Sequence, residues 1–210
     1  YGFDGIVSRS PVGDMPPSNL QTISDTFNIE VFSGIELYEK NQSTLSGHLS
    51  KTRNKTPLLC IRGGDPSLNL FASKQKNLDV LCHPLGGQKT INHVMVKEAK
   101  RNNVRIELNF SELLRESGKN RIKSLNHLRK QWNLISAYDA PFVVSSDPAS
   151  HLDLRSPREL MAVGSLVGME PEDIETGLSE WGKIINKNLD NLSGKYADVG
   201  VKRGKYGDSN

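Results

Sequence analysis

Apolar residues come in short unbroken runs along this chain, at residues 5–8 (GIVS), 32–38 (FSGIELY), 58–61 (LLCI), 78–82 (LDVLC), 104–108 (VRIEL) and 142–144 (FVV). Runs of this length, bounded by turn formers, predict strands buried on both faces. Arg9-Ser10-Pro11 ends the first run, Arg62-Gly63-Gly64 the third and His83-Pro84 the fourth.

Between the runs lie helix-like segments, 44–53 polar and 67–76 weak, and in two of them the apolar positions return at helical spacing. Helices are expected over residues 19–27, 44–53, 67–76, 90–101 and 121–138. The buried stripe of 90–101 is Ile91, Val94, Met95 and Ala99. That of 121–138 is Ile122, Leu125, Leu128, Trp132, Ile135 and Ala137. Two more helices, 157–167 and 171–189, follow the last strand. The first has Ser156 as N-cap, Pro157 at its first position and Glu159 in its first turn; Gly168 separates it from the second.

Alternating strands and helices specify a parallel sheet covered by helices. The architecture expected is an α/β fold of the TIM-like (β/α) barrel type, irregular or short of eight strands, with a doubly wound open sheet as the alternative. Residues 1–7 read as the end of a helix running into a strand, so one βα unit is expected to precede the numbered chain. Residues 1–192 form one expected domain. Residues 193–210, Gly-rich and basic without apolar periodicity, form an expected flexible tail.

Composition narrows this further. With 36% hydrophobic and 24% charged residues the chain is not of the disordered class. No apolar run approaches the roughly 18 residues of a membrane helix, and no signal peptide is visible, so a cytoplasmic protein without membrane contact is expected. Cys60 and Cys82 lie in apolar runs without metal-type spacing and read as reduced core residues. The net charge of +3 is unevenly spread. Residues 89–131 hold eleven Lys/Arg against four acids, a local +7, whereas residues 147–180 hold eight acids against two arginines, a local −6. The first segment suits a polyanion; the second suits a protein contact or solvent.

The candidate chemistry lies at the strand ends. A parallel sheet collects Ser8, Arg9, Glu36, Arg62, His83, Asn109, Ser145, Ser146 and Asp147 on its C-terminal rim, where such folds place active sites. Glu36, His83 and Asp147 are residue types that hold catalytic cations, which keeps a free-standing metal-dependent phosphoesterase as the alternative reading. Against it, Arg9 and Arg62 are permanent cations where metal would bind, and Ser145-Ser146-Asp147 lacks the spacing of a ligand pair. No phosphate-binding glycine loop or nucleophile elbow is present. His93 and His127 fall on helices and read as surface or boundary residues.

Three blocks carry a resemblance: LDVLCHP at 78–84, INHVMVKEAKRNNVRIELNFSELL at 91–114, and residues 121–171 around SHLDLRSPREL. They resemble the ribonuclease P protein component 3 family, with similarity running over about residues 2–189. The resemblance implies a barrel related to metal-dependent phosphoesterases that has lost their ligands. It also implies a subunit of the ribonucleoprotein whose RNA removes the 5′ leader of precursor tRNA. Implied partners are the ribonuclease P RNA, a small ferredoxin-like subunit (two copies of each), the other ribonuclease P proteins and precursor tRNA. The chain itself would hold no catalytic residue, metal or cofactor, the Mg²⁺ being used by the RNA. Electrostatics then nominates Arg62, Lys89, Lys97, Arg101, Arg121, Lys123, Arg129, Arg155 and Arg158 as RNA contacts. Arg155 and Arg158 have the other option of pairing with Asp147, Asp153 or Glu159. His83, Asp147 and Asp153 are expected to hold loop structure.

Overall fold

The computed structural model describes residues 2–12, 19–85 and 91–193, with the backbone alone at 196–198 and 201–202. Six strands, β1 (Gly5–Pro11), β2 (Glu30–Leu37), β3 (Leu59–Arg62), β4 (Val80–Cys82), β5 (Arg105–Asn109) and β6 (Phe142–Ser145), form one sheet. All neighbours are parallel and the spatial order is the chain order. A doubly wound sheet reverses its order at a switch point, so that alternative is excluded. Tyr196–Asp198 (β7) and Val201–Lys202 (β8) pair separately as an antiparallel ribbon.

The helices are α1 (Leu20–Phe27), α2 (Gln42–Thr52), α3 (Pro66–Ser73), α4 (His93–Asn102), α5 (Ser111–Arg115), α6 (Gly118–Ala137), α7 (Pro157–Val167) and α8 (Pro171–Leu192). Side-chain caps open several of them: Asn41 on α2, Asp65 on α3, Asn92 on α4, and a Ser156–Glu159 capping box on α7. Among the described residues no helix is long and apolar enough to cross a membrane.

Strand alternation sorts the core into two faces. Leu59, Ile61, Leu81, Ile106, Leu108 and Val144 face the outer helices α2, α3, α4, α6 and α7. Leu58, Cys60, Val80, Cys82 and Val143 face the other way, against Ile184 and Ile185 of α8 with Trp181 at the edge. The N-terminal half of α8 instead packs its Ile174 with the outer cluster, against Gly164 of α7. So α8 passes round the free edge of β6 and lies on the inner face. It covers an edge that would otherwise expose unpaired backbone groups.

The sheet is curled into a half-barrel. Flat, six strands roughly 4.8 Å apart would separate β1 from β6 by about 24 Å. Yet Arg9 of β1 donates from Nη2 to Asp147 Oδ1, just past β6, at 2.9 Å.

Three local expectations need correction. The first strand continues through Arg9 and Ser10 to Pro11, because pairing with β2 persists over that length and an edge strand tolerates proline. Val94 and Ile122 are 46% and 61% exposed, and Ala137 is exposed as well. In α6 the buried side is Ser124, Leu128, Gln131, Trp132 and Ile135. Its polar members hold the stripe in place: Gln131 Nε2 donates to the Glu107 carbonyl at 2.8 Å and Ser124 Oγ to Glu116 Oε2 at 2.8 Å.

Candidate functional site

At the C-terminal mouth of the half-barrel the strand ends converge on one guanidinium. Arg9 Nη1 lies 3.0 Å from Glu107 Oε1, 3.4 Å from Glu36 Oε2 and 2.7 Å from Cys82 Sγ, and Nη2 reaches Asp147. The Trp181 ring lies 5.8 Å from the guanidinium carbon. Glu107, whose side chain is fully buried, also accepts from Ser145 Oγ at 2.8 Å and from the His83 backbone N–H at 2.8 Å. A buried carboxylate is tolerable only when so fully bonded. Arg62 Nη1 takes the other oxygen of Glu36 at 3.0 Å.

The backbone is bent to make this geometry. His83, directly after β4, and Asp147, two residues past β6, have φ of 46° and 41°. The left-handed region is unfavourable for such residues and is held here by surrounding bonds. It turns the His83 N–H onto Glu107 and sets His83 Nε2 3.3 Å from Asp147 Oδ2. The His83 contact holds the Asp147 carboxyl well below the usual carboxylate range, with Arg9 adding to it against the opposing effect of burial. Burial disfavours the Arg9 charge, but the acids around it, Glu107 and Glu36 among them, more than reverse this. Burial pushes the Cys82 thiol up, so it stays protonated.

This donor set does not fit a divalent cation. Each acid facing the mouth, Glu36, Glu107 and Asp147, is bonded to an arginine. Among the described residues no group of three or more His, Cys, Asp or Glu is placed to hold a metal. The mouth is an ion-pair cluster that fastens the strand ends together. Sequence reading places Ser8, Arg9, Glu36, Arg62, His83, Asn109, Ser145, Ser146 and Asp147 on this rim; Ser8 lies instead within β1, in register with Ser33, and the reading misses that Glu107 and Cys82 complete the cluster. A lone Glu inside the apolar run VRIEL is the available signal.

The nominated cations fall into different settings. Lys97 and Arg101 are exposed on α4, and Lys123 is exposed on α6. Lys97 Nζ lies 5.1 Å from the Tyr138 ring centroid, and Lys100 Nζ donates to the Tyr138 carbonyl and Asp139 Oδ2, both at 3.0 Å. These contacts put α4 against the end of α6, so their cations share one outer layer. Lys100, Lys119 and Lys130 belong to it too, and the α6 period could have found the last two. Arg121, Arg129 and Arg155 each donate to backbone carbonyls, of Glu116, of Leu166, and of Leu152 and Leu154 respectively. Arg158 is exposed at the start of α7, Arg62 lies apart at the mouth, and Lys89 lies outside the described residues. Asp153 Oδ2 accepts the N–H groups of Ala149 and Ser150, which shapes the loop after β6.

One feature of α6 runs against helix stability. Its 20 residues carry Lys119, Arg121, Lys123, Arg129 and Lys130 and no acid at all. Three of these cations crowd the N-terminal end, where the helix dipole disfavours positive charge, and Lys119 with Lys123 is a like-charged i,i+4 pair. Acids in the first turn would favour the helix; here Lys119, Lys123 and Lys130 are exposed, while Arg121 and Arg129 donate to backbone carbonyls.

Comparison with known proteins agrees in one direction. A family model described as RNase P subunit p30 matches residues 1–191. Ribonuclease P protein component 3 of Haloarcula marismortui is 36% identical over 200 residues, covering 95% of this chain and 85% of the relative. That of Natronomonas pharaonis is 39% identical over 201 residues, covering 96% and 84%. A chain in the cryo-EM structure of archaeal ribonuclease P with mature tRNA superposes with a TM-score of 0.86 at 24% identity, over 100% of this chain and 92% of that one.

Proposed function

The chain belongs to the RNase P subunit p30 family and is a protein subunit of ribonuclease P, the endoribonuclease that makes tRNA 5′ ends; from that premise we propose that it acts as a rigid cationic support for the RNA, with no active site of its own. The observation that carries this reading is the acid-free, N-terminally cationic helix α6 beside the exposed Lys97 and Arg101 of α4. Charge arranged at the expense of the helix finds its compensation in an external anion.

Phosphates brought close by RNA folding repel one another, and Mg²⁺ must screen them. Cations fixed on a packed scaffold supply part of that screening without having to be ordered first. Recognition is of backbone and shape, since the deep groove of A-form RNA hides its base edges. Lys97, Arg101, Lys123 and Arg158 offer free charge. Arg121, Arg129 and Arg155 fix local structure with one edge of the guanidinium and present the other; Lys89 adds to the same segment in sequence. Arg62 sits at the mouth as a bridge to Glu36 and extends the charge to the rim. The acidic residues 147–180 suit a protein neighbour, in our reading a small ferredoxin-like subunit in a cytoplasmic particle holding two copies of each. Further ribonuclease P proteins and precursor tRNA complete that assembly. The same reading derives the barrel from metal-dependent phosphoesterases.

The test is reconstitution. Particles assembled with Lys97→Glu, Lys123→Glu and Lys130→Glu together are expected to need several-fold more Mg²⁺ for half-maximal precursor-tRNA cleavage, and a weaker salt dependence of assembly should accompany this. An unchanged Mg²⁺ requirement would remove the α4–α6 face from the mechanism.

A further inference from the structure

The opposite, N-terminal end of the sheet carries a second and larger feature. A groove of about 550 Å³ opens between the segments leading into β3, β4 and β5 and the last turns of α8. That volume lies in the range of ligand clefts, roughly 300–1,000 Å³. In barrel-type folds this end ordinarily serves stability, and the floor of the groove is a closed network that does so. Asp79 Oδ2 accepts from Arg53 Nη1 at 2.6 Å and from the Leu59 N–H at 2.8 Å, while Asp79 Oδ1 accepts from Asn188 Nδ2 at 3.0 Å. Arg105 is taken by Glu180 Oε1 at 2.8 Å.

The rim is different. Lys76 and Lys187 are exposed, with Asn54, Asn77 and Asn191 beside them; among the described residues neither lysine makes an ion pair and no acid joins the rim. Once the two floor arginines are offset by Asp79 and Glu180, the lysines leave the groove at about +2. Among the described residues only Leu78 and Leu192 of the lining are apolar, and no aromatic side chain joins them. With no stacking platform the groove is not built for bases. Cations flanked by amides that both donate and accept fit phosphate oxygens and ribose 2′-hydroxyls.

We propose that this groove is a second RNA contact, taking a stretch of sugar–phosphate backbone on the end of the molecule opposite the Arg9 cluster. The proposal rests on the reading of the chain as an RNA-supporting subunit, and adds to it Lys76 and Lys187, which lie outside the basic segment 89–131, on a groove whose Asn102, Asn103 and Arg105 lie within it. Asn102 and Asn103 bring the groove to the C-terminal end of α4, so it carries the cationic surface round the end of the molecule and lets one subunit hold a longer stretch of RNA.

The test uses the full chain and an in-vitro-transcribed archaeal ribonuclease P RNA, with affinity followed from about 50 to 200 mM salt. Lys76→Glu with Lys187→Glu should raise Kd about tenfold and lower the log–log salt slope by about 1.5, two phosphate contacts' worth. Both lysines are exposed, so an unchanged thermal midpoint separates this from unfolding. An iron–EDTA probe tethered at Asn191→Cys, the native Cys60 and Cys82 being buried, should cut the RNA at discrete positions. A control variant, Lys123→Glu with Lys130→Glu, distinguishes the two readings. If only the control weakens binding, the groove proposal falls and the α4–α6 face stands. If only the groove variant does, the proposal holds and the face reading falls; if neither does, both fall. Intact RNA affinity with loss of the chain from the reconstituted particle would overturn the proposal in favour of a protein contact.

Discussion

Among the described residues, Arg9 ties more elements of the sheet together than any other side chain. It joins β1 to residues on β2, β4 and β5, to the loop after β6, and to the ring of Trp181 on α8. A lysine could not replace it, since one ammonium cannot present a planar fork to Glu107 and Asp147 at once. Its removal leaves Glu107 buried with its charge uncompensated. Arg9→Met, similar in volume, is therefore expected to cost about 3–5 kcal/mol, read as a fall in the urea midpoint. Adding Glu107→Gln should recover part of that loss, because the stranded charge goes with it. A loss under about 1 kcal/mol for Arg9→Met would mean that Glu107 is solvated and that the cluster does not bind the strands.

The element that decides the shape is α8, and the position that decides α8 is Gly177. A Cβ there would lie 2.6 Å from Val144 Cγ2 and 3.1 Å from the Val144 backbone nitrogen, on the edge strand the helix passes. The side chain could shift, but the backbone could not. Gly177→Ala is thus expected to destabilise by about 1–3 kcal/mol despite the better helix propensity of alanine, with thermal melting as the measurement. A stabilised variant would show that α8 does not approach β6 this closely. The helix itself was legible in the sequence, since Gly168 closes the helix before it and Pro171 opens it. Which face of the sheet it covers was not, because a stripe says only that a side is buried. The strands were legible for a related reason: each is a continuous apolar run closed by a turn. The end of β1 was not, since Arg9-Ser10-Pro11 reads locally as a stop and remains strand only through pairing with β2. The Arg9–Glu107 contact spans 98 residues and Arg9–Asp147 spans 138, so no local pattern could announce either.

For the molecule as a whole, that last contact closes the curl: it ties the first strand to the segment following the sixth, and so couples shape to protonation. Asp147 in the folded chain titrates below its unfolded value, first through His83 and then through Arg9. A group whose folded pKa is depressed binds fewer protons folded than unfolded, and stability then rises with pH through that interval. The contribution of Asp147 is complete above about pH 4, the ordinary aspartate value, and drains away as pH falls through the lower folded value. Protonation leaves Arg9 with one acceptor fewer and frees the loop carrying Asp153 and Arg155, which leads into α7. Asp147→Asn should accordingly be less stable than the parent near neutrality, and the gap should close as pH is lowered below about 4. Urea midpoints measured for both proteins across that range give the answer directly. A gap that stays constant with pH would place the role of Asp147 in its hydrogen bonds alone, and the edges of the half-barrel would then be held by packing against α8 rather than by charge.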